Sequence, residues 1–349
     1  MVNRLKNMEL IEIDGSFGEG GGQIVRTAIT LSCILKKPIK IKNIRKGRSN
    51  PGLKPQHLTI LKILQKICNA DVDNAKIGST DLQFIPNEIK SLQLSEDVGT
   101  AGSISLIIQV LIPIIAICKK NLKITIRGGT NVLWSPTIDY TQVILMELYQ
   151  RMGIKFSIKL IKRGYFPKGG GVIELKVFPS EKILPLTLKN KQTKNVEILG
   201  SFSKLSSDLF IDEIKKIEKK LIEHNFKVTS QIKEESALDS GGSLLISSID
   251  AESIIGMDSL FNKKTQKFDI DLEEFIKNDS SVDENLSDMI VLPASLTDGI
   301  TVFQVKKISK HLETNLFVVS KITGCRYGIG KLREGFEVRI EGISYSSIK

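Results

Sequence analysis

The hydrophobic residues of this chain follow two spacings, one typical of strands and one typical of helices. Isoleucines separated by polar residues predict a strand at 38–44, whereas Ile24, Ala28 and Leu31 recur at the spacing of a helix. The same two patterns predict helices at 56–70, 137–152 and behind 97–103, and strands at 9–14, 82–84, 92–94, 122–126, 154–160, 172–177 and 301–305. Strands and helices therefore alternate, with glycine-rich turns between them. This order indicates an α/β or α+β layered fold.

The pattern changes after about residue 185. Phe210, Ile214 and Ile217 form the apolar face of a highly charged helix predicted at 206–223. Strands are predicted behind this helix at 226–230, 241–246 and 253–256. The polar stretch 277–282 has the composition of a linker. We therefore predict a small inserted α/β domain at 185–278 and a large domain made of 1–184 and 279–349.

Length and composition limit the classes of protein that fit. The chain has 349 residues, of which 41% are hydrophobic and 26% charged, as in globular proteins of about two domains. The longest apolar run, 104–118, is interrupted by Ser105, Gln109 and Pro113, which argues against a membrane span. No apolar secretory stretch follows the first residues, so we expect a cytoplasmic location and no membrane partner.

Cysteines, histidines and net charge narrow the chemistry further. The four cysteines are far apart in apolar surroundings, so we expect reduced thiols. With only three histidines and no ligand spacing, a zinc centre is not expected. The formal net charge of +11 favours a polyanionic partner, although lysine-rich chains are often simply soluble.

Residues 14–26, Asp-Gly-Ser-Phe-Gly-Glu-Gly-Gly-Gly-Gln-Ile-Val-Arg, are the most informative segment. Glycines before a helix let backbone N–H groups approach an anion, and the helix dipole favours negative charge there. Glu19, Gln23 and Arg26 would line this turn, with Glu19 suited to a metal or a ribose hydroxyl and Arg26 to a phosphate. A tight turn with solvated polar residues is the alternative.

Two basic segments are shaped by glycine and proline. Arg45, Arg48 and Lys54 lie in the loop 44–56, and Lys162, Arg163 and Lys168 flank a second loop that ends at residue 171. Cations on such loops can hold phosphates in a fixed geometry. Solvated basic loops are the alternative in both places.

One histidine has the surroundings of a nucleophile. His311 follows the basic segment 306–310 and precedes a helix for which Thr314 is the predicted N-cap. The neighbouring lysines should keep the imidazole uncharged, and a neutral imidazole can form covalent intermediates. A surface histidine is the alternative. We expect His224 to cap a helix C-terminus and His57 to contact a phosphate beside the basic loop.

These segments together are similar to one protein family. The matching strings are residues 14–26, 48–57, 99–103, 128–131 with Pro136 and 139–140, 163–171, and 311–315. Each string alone is modest, but their joint order is specific. The chain resembles RNA 3′-terminal phosphate cyclases over nearly all of residues 9–345, most weakly in the predicted insert.

The resemblance implies a fold and a reaction. The large, catalytic domain would contain three related units, each a four-stranded sheet with two helices, and the small domain would be inserted in the third unit. The imidazole of His311 would attack the α-phosphorus of ATP and form a histidine–AMP adduct. The AMP would pass to the 3′-phosphate of an RNA, and the 2′-hydroxyl would then close a 2′,3′-cyclic end. Mg²⁺ would neutralise the triphosphate.

The resemblance also implies contacts with the two substrates. The expected nucleotide-binding residues are Glu19, Gln23, Gln109, Pro136, Asn285, Leu286, Ser287, Asp288 and Met289, with Glu19 as a metal ligand. The expected RNA-binding residues are Arg26, Arg45, Arg48 and Lys54. Asn285 and Met289 depart from the tyrosine or histidine and the glutamine of relatives, and a methionine cannot donate a hydrogen bond to a base. Few aromatic residues adjoin the basic loops, so extensive base stacking is not indicated.

Two other functions use similar folds. Cyclase-like proteins without the nucleophile serve ribosome assembly, and enolpyruvyl transferases share the repeated unit. The presence of His311 in its motif argues against both, because neither needs a covalent imidazole. The oligomeric state stays open, with a homodimer as one option.

Overall fold

The computed structural model describes residues 10–345 and contains four sheets with helices packed against them. The predicted layered α/β fold class is confirmed. Two of the sheets have the same strand order, and a third keeps most of it. This repetition places several helix N-termini at one cleft.

The first unit has two helices on a four-stranded sheet. Its elements are β1 (Ile11–Asp14), α1 (Gly22–Leu35), β2 (Ile39–Lys42), α2 (Pro55–Cys68), β3 (Asp71–Asp73) and β4 (Leu82–Ile85). The strand order is β1-β2-β4-β3, and only β1 and β2 run parallel. The isoleucines of β2 are buried and its lysines are half-exposed, which is the alternation that the sequence predicted. The short strand β3 was not predicted.

The second unit repeats this arrangement. Its elements are β5 (Leu92–Asp97), α3 (Ile104–Ile117), β6 (Leu122–Gly128), α4 (Ile138–Tyr140), a π-helical segment (Thr141–Leu145), α5 (Met146–Arg151), β7 (Phe156–Lys162) and β8 (Gly171–Val177). The order β5-β6-β8-β7 matches that of the first sheet. The helix predicted at 137–152 is therefore present, with a π-helical middle.

A five-stranded sheet follows, with its own helices. Its elements are β9 (Asn195–Ser203), α6 (Ser207–Glu223), β10 (Lys227–Glu234), β11 (Gly241–Ile249), β12 (Ile254–Asn262), β13 (Lys267–Phe268) and α7 (Leu272–Ile276). The strand order is β10-β9-β11-β12-β13. Phe210, Phe261 and Phe275 belong to a hydrophobic cluster separate from the main core. The domain boundaries 185 and 278 stay a prediction, although this sheet lies between them.

The third unit is reduced by one strand. Its elements are α8 (Glu284–Met289), α9 (Val291–Ala294), β14 (Ile300–Val305), α10 (Lys310–Thr323), β15 (Arg326–Lys331) and β16 (Phe336–Glu341). The sheet has the order β14-β16-β15, not the expected four strands. A single parallel bridge between Thr187 and Val302 occupies the place of the missing strand. Pro185 lies just before this bridge and lacks an N–H, and the chain leaves for β9 soon after it.

The helices α1, α3 and α10 pack together, with α1 between the other two. Ile24, Ile107 and Leu316 are fully or almost fully buried in the main core, to which all three units contribute.

Within residues 10–345, no helix combines the length and the apolar character that crossing a membrane requires. Cys33, Cys68 and Cys325 are buried thiols that form no disulfide, as predicted.

Candidate active site

A cleft of about 930 Å³ opens where the N-termini of α1, α2, α3 and α10 converge. Each N-terminus contributes unpaired N–H groups and the positive end of a helix dipole, so the cleft favours anions. Most of the residues predicted from the sequence line this one cleft: Glu19, Gln23, Arg26, Arg45, Arg48, Lys54, Gln109, Pro136, Asn285, Asp288, Met289 and His311. The structure therefore brings together segments that are distant along the chain.

The glycine turn before α1 packs against α10. Gly18 has a left-handed φ of 57°, and a Cβ at this position would collide with Thr314 Oγ1. The backbone N–H of the next residue, Glu19, donates to the same oxygen at 3.3 Å. This close approach, which only glycine permits, directs the Glu19 side chain toward His311.

His311 lies in the first turn of α10, and its side chain is 48% exposed. Its Nε2 contacts a carboxylate oxygen of Glu19, and its Nδ1 lies 3.5 Å from Asp288 Oδ2. The ring therefore faces the cleft between two carboxylates that come from the first and third units. Gln23 adds a contact from α1, since its Nε2 donates to the backbone carbonyl of His311 at 3.0 Å.

The predicted start of this helix was wrong. The N-cap is Ser309, whose Oγ accepts from the N–H of Leu312 at 3.1 Å. Thr314 lies inside the helix and donates its hydroxyl to the Lys310 carbonyl at 2.6 Å. Leu312 is buried four residues before Leu316, so the apolar stripe already begins in the turn that contains His311.

The predicted source of charge around His311 was also wrong. Lys307 Nζ lies 2.8 Å from Glu284 and 3.7 Å from Glu274, so it is engaged with carboxylates on α8 and α7. The imidazole itself contacts the carboxylates of Glu19 and Asp288. Local sequence could not reveal this, because Glu19 and Asp288 reach the ring only through the tertiary fold.

Arg26 and His57 form the cationic and hydrogen-bonding wall of the cleft. A Cβ at Gly22 would lie 2.7 Å from His57 Nε2 and 3.2 Å from Arg26 Nη1, so both side chains converge on the start of α1. Burial lowers the pKa of Arg26 to about 10, an effect that Asp288 partly offsets. Arg26 thus stays charged near neutral pH, and among residues 10–345 it forms no direct ion pair.

His57 is buried with a defined tautomer. The backbone N–H of Lys54 donates to His57 Nδ1 at 3.0 Å, so the hydrogen of the neutral ring is on Nε2. Burial, followed by the charges of Arg26 and Arg45, lowers the pKa of His57 to about 3. The Nε2–H group has no hydrogen-bond partner in the described part of the chain. It is a donor available to an anion at the glycine turn.

Three of the four cations of the loop 44–56 line the cleft, in different ways. Arg48 contacts the carboxylate of Glu19. Arg45 Nη1 donates to the carbonyls of Asn50 at 2.8 Å and Gly52 at 3.2 Å, which stabilises the loop from inside. Lys54 precedes α2 and lies at the cleft wall. A phosphate entering here would meet two guanidinium groups and an ammonium group.

The predicted nucleotide contacts divide into two groups. Gln109 Nε2 lies 3.7 Å from the sulfur of Met289, so these two side chains meet in the wall of the cleft. Asn285 is exposed at the start of α8. Leu286 and Ser287 are buried, so they do not present their side chains to the cleft.

Arg163 has a structural role, contrary to the prediction of a phosphate-binding loop. Its guanidinium is buried and binds Asp139 through two hydrogen bonds of 2.6 and 2.8 Å. It also contacts Glu235 between β10 and β11. The second predicted cation, Lys168, lies 3.6 Å from Asp239. Arg163 and Lys168 are therefore paired with carboxylates that are distant in sequence and could not be foreseen from it.

Two carboxyl groups near the cleft were not predicted from the sequence. Asp258 Oδ2 accepts from the Thr137 N–H at 2.6 Å, and Asp283 accepts from the Tyr140 hydroxyl at 2.7 Å and the Gly256 N–H at 2.8 Å. Both carboxyl groups connect the five-stranded sheet to the start of α4. Burial raises the pKa of each to about 6.

The comparisons with known proteins agree with the resemblance. The family model for RNA 3′-terminal phosphate cyclase matches residues 17–329. A protein of Pyrobaculum aerophilum with this name is 34% identical over 347 residues, which cover 96% of this chain and 99% of the relative. Proteins of the same name from Methanosarcina barkeri and Saccharolobus solfataricus are each 36% identical, over 336 and 343 residues. These matches cover 95% of this chain and 100% of each relative. The chain therefore belongs to the RNA 3′-terminal phosphate cyclase family of enzymes.

Proposed function

We propose that this protein converts the 3′-terminal phosphate of an RNA to a 2′,3′-cyclic phosphodiester at the expense of ATP, through a covalent histidine–AMP intermediate. The family name supports the overall conversion. The single observation that carries the mechanism is the half-exposed imidazole of His311, which faces an anion-favouring cleft between Glu19 and Asp288.

In the first step, His311 acts as the nucleophile. Asp288 can accept a hydrogen from Nδ1, and the Glu19 carboxylate, which contacts Nε2, has to move off that nitrogen before its lone pair can attack. Nε2 attacks the α-phosphorus of ATP, the nitrogen–phosphorus bond forms, and the bond to the bridging oxygen breaks to release pyrophosphate. The four converging helix N-termini stabilise the negative charge that the attack concentrates on the phosphoryl oxygens.

In the second and third steps, the RNA end takes the AMP and then displaces it. A terminal phosphate oxygen of the RNA attacks the same phosphorus, and the nitrogen–phosphorus bond breaks. The adjacent 2′-oxygen then attacks the RNA phosphate, loses its proton to solvent and releases AMP. Arg26 and the His57 Nε2–H would bind the RNA phosphate, with Arg45, Arg48 and Lys54 along the backbone.

A magnesium ion fits the residues present at the nucleophile. Glu19 supplies carboxylate oxygens, which Mg²⁺ prefers, and its buried Oε2 contacts His311 Nε2, so an ion held by this carboxylate would lie beside the nucleophile. Within residues 10–345, no group of three or more His, Cys, Asp or Glu side chains forms a metal site by itself. Glu19 would thus hold the ion together with phosphate oxygens, and when bound it would neutralise the triphosphate.

The experiment is incubation with ATP labelled at the α-phosphate. We expect a covalently labelled protein whose label is lost in acid, as a nitrogen–phosphorus bond is. Addition of an RNA with a 3′-phosphate should release the label as AMP and give an end that resists phosphatase.

Two histidine variants make this test specific. His311→Ala should abolish labelling, whereas His224→Ala should leave it unchanged, because His224 is an exposed helix cap that hydrogen-bonds the Lys220 carbonyl. Absence of labelling in the wild-type protein, or labelling that survives in His311→Ala, would contradict the proposal.

A further inference from the structure

Three large apolar side chains are exposed at the mouth of the cleft. Leu133 is 60% exposed, Trp134 is 95% exposed and Phe166 is 68% exposed, and all three line the cleft that contains His311. They form an apolar rim on the same cleft as the cations Arg26, Arg45, Arg48 and Lys54. Burying an indole would stabilise the folded protein, so a cluster of apolar side chains left in water points to a binding surface.

The rim stands on a rigid base. Its two loops are joined by a bridge between Asn131 and Tyr165 and by a hydrogen bond of 2.9 Å from the Thr130 N–H to the Gly164 carbonyl. The buried pair of Arg163 and Asp139 lies directly behind these contacts. The loops therefore hold the apolar side chains in place without the help of a bound partner.

The backbone at Trp134 is itself unusual. Its φ is 58°, a left-handed conformation that is disfavoured for a bulky side chain. This conformation does not bury the ring. It holds the ring above the rim, where a flat ligand can stack on it.

We propose that Trp134, flanked by Leu133 and Phe166, stacks on a nucleobase of the RNA close to the 3′ end. This inference rests on the proposed function, because it takes an RNA end as the substrate. An RNA whose terminal phosphate reaches Arg26 has to cross the rim with the nucleotides that precede it. Phosphates would contact the cations inside, while an adjacent base covers the indole. Because every base has a π-face, such a contact tolerates any sequence.

The position of the rim favours an RNA base over the adenine of ATP. Among the expected nucleotide contacts, Gln109 and Met289 also border a second, smaller cavity with Arg26 and Asp288, whereas Pro136 lies two residues from Trp134 on the rim side. Trp134 does not border that cavity and is almost fully exposed. The scarcity of aromatic residues argued against extensive stacking, and this surface offers a platform for about one base.

Fluorescence tests the proposal directly, because Trp134 is the only tryptophan of the chain. The full-length protein is titrated with a short single-stranded RNA that ends in a 3′-phosphate, with the same RNA lacking its bases near the 3′ end, and with ATP alone. We expect saturable quenching by the intact RNA, and much weaker quenching by the abasic RNA. Quenching by ATP alone to the same extent would assign the indole to the adenine and overturn the proposal, as would no change with either ligand.

Variants separate this inference from the reaction itself. Trp134→Ala should raise the KM for RNA about 5- to 100-fold, with Trp134→Phe closer to the wild type. The rate of histidine–AMP formation from ATP should not change in either variant. Ile222→Ala, at an exposed apolar site on α6, is the matched control and should leave KM unaltered.

An unchanged KM in Trp134→Ala would overturn the inference and leave the proposed function intact. Loss of labelling in the wild-type protein would remove the proposed function, while the fluorescence titration would still report RNA binding.

Discussion

Arg26 and His57 illustrate how burial can prepare side chains for an anion. Arg26 stays charged because even its lowered pKa of about 10 is well above neutral pH. His57 stays neutral because its pKa of about 3 is well below it. One group thus supplies charge and the other supplies a directed N–H, and the distinction persists across the physiological range of pH.

At the residue scale, we predict that Arg26→Ala separates the two halves of the reaction. Cyclisation of RNA should fall by about 100-fold, because a charge-assisted donor to the RNA phosphate is lost. Formation of the histidine–AMP adduct should fall by less than about tenfold. Single-turnover measurements of both steps check this, with Arg26→Lys as the variant that keeps the charge without the planar fork. A larger loss in adduct formation than in cyclisation would assign Arg26 to ATP.

At the scale of elements, the glycine turn and α10 define each other's position. The turn approaches α10 so closely that Thr314 Oγ1 occupies the space of a Gly18 side chain. The hydrogen bond from the Glu19 N–H to the same oxygen then fixes the carboxylate beside His311. The geometry at His311 therefore depends on a close contact between the backbone of the glycine turn and the side chain of Thr314.

Gly18→Ala should destabilise the protein by about 2–4 kcal/mol, from left-handed strain together with the collision at Thr314. Gly78→Ala is the matched control, because Gly78 has a left-handed φ of 79° but open space around it. It should cost only about 1–2 kcal/mol. Equilibrium unfolding in urea measures both. Thr314→Ala should relieve part of the Gly18→Ala cost, and equal costs for the two glycine variants would contradict the collision.

Periodicity predicted most elements, because each helix or strand buries one face and its spacing shows in the sequence. It could not predict β3, which spans three residues with no buried position. It also placed the start of α10 at Thr314 and not at Ser309, since both residues can cap a helix. Periodicity also could not predict the role of a side chain whose partners are distant in sequence. Arg163 looked like a phosphate ligand because Asp139 and Glu235 are not its neighbours in sequence.

At the scale of the whole molecule, the five-stranded sheet is attached beside the cleft through carboxyl groups. Asp258 and Asp283 reach from β12 and the start of α8 to Thr137, Tyr140 and Gly256. The raised pKa of each makes the protonated form more favourable in the folded protein than in the unfolded chain. The stability that this provides is complete below about pH 4 and is lost as the pH rises through about 6.

Asp258→Asn should therefore gain stability relative to the wild type as the pH rises from about 5 to 7, by about 1–3 kcal/mol. The asparagine oxygen can still accept from the Thr137 N–H, and no charge has to be buried. Urea unfolding of both proteins across this range checks the prediction. The difference between them should be constant if Asp258 titrates as it would in water.

The site has one further property that follows from where Glu19 and His311 lie in the chain. A ribosome releases the glycine turn well before α10, because most of the described chain separates them, yet the two must touch to complete the site. A nascent chain that carries only the first two units lacks His311 and Asp288. By the mechanism proposed above, adenylylation requires the third unit to have emerged and docked on α1, and polypeptides that stop short of it would consume no ATP in this reaction.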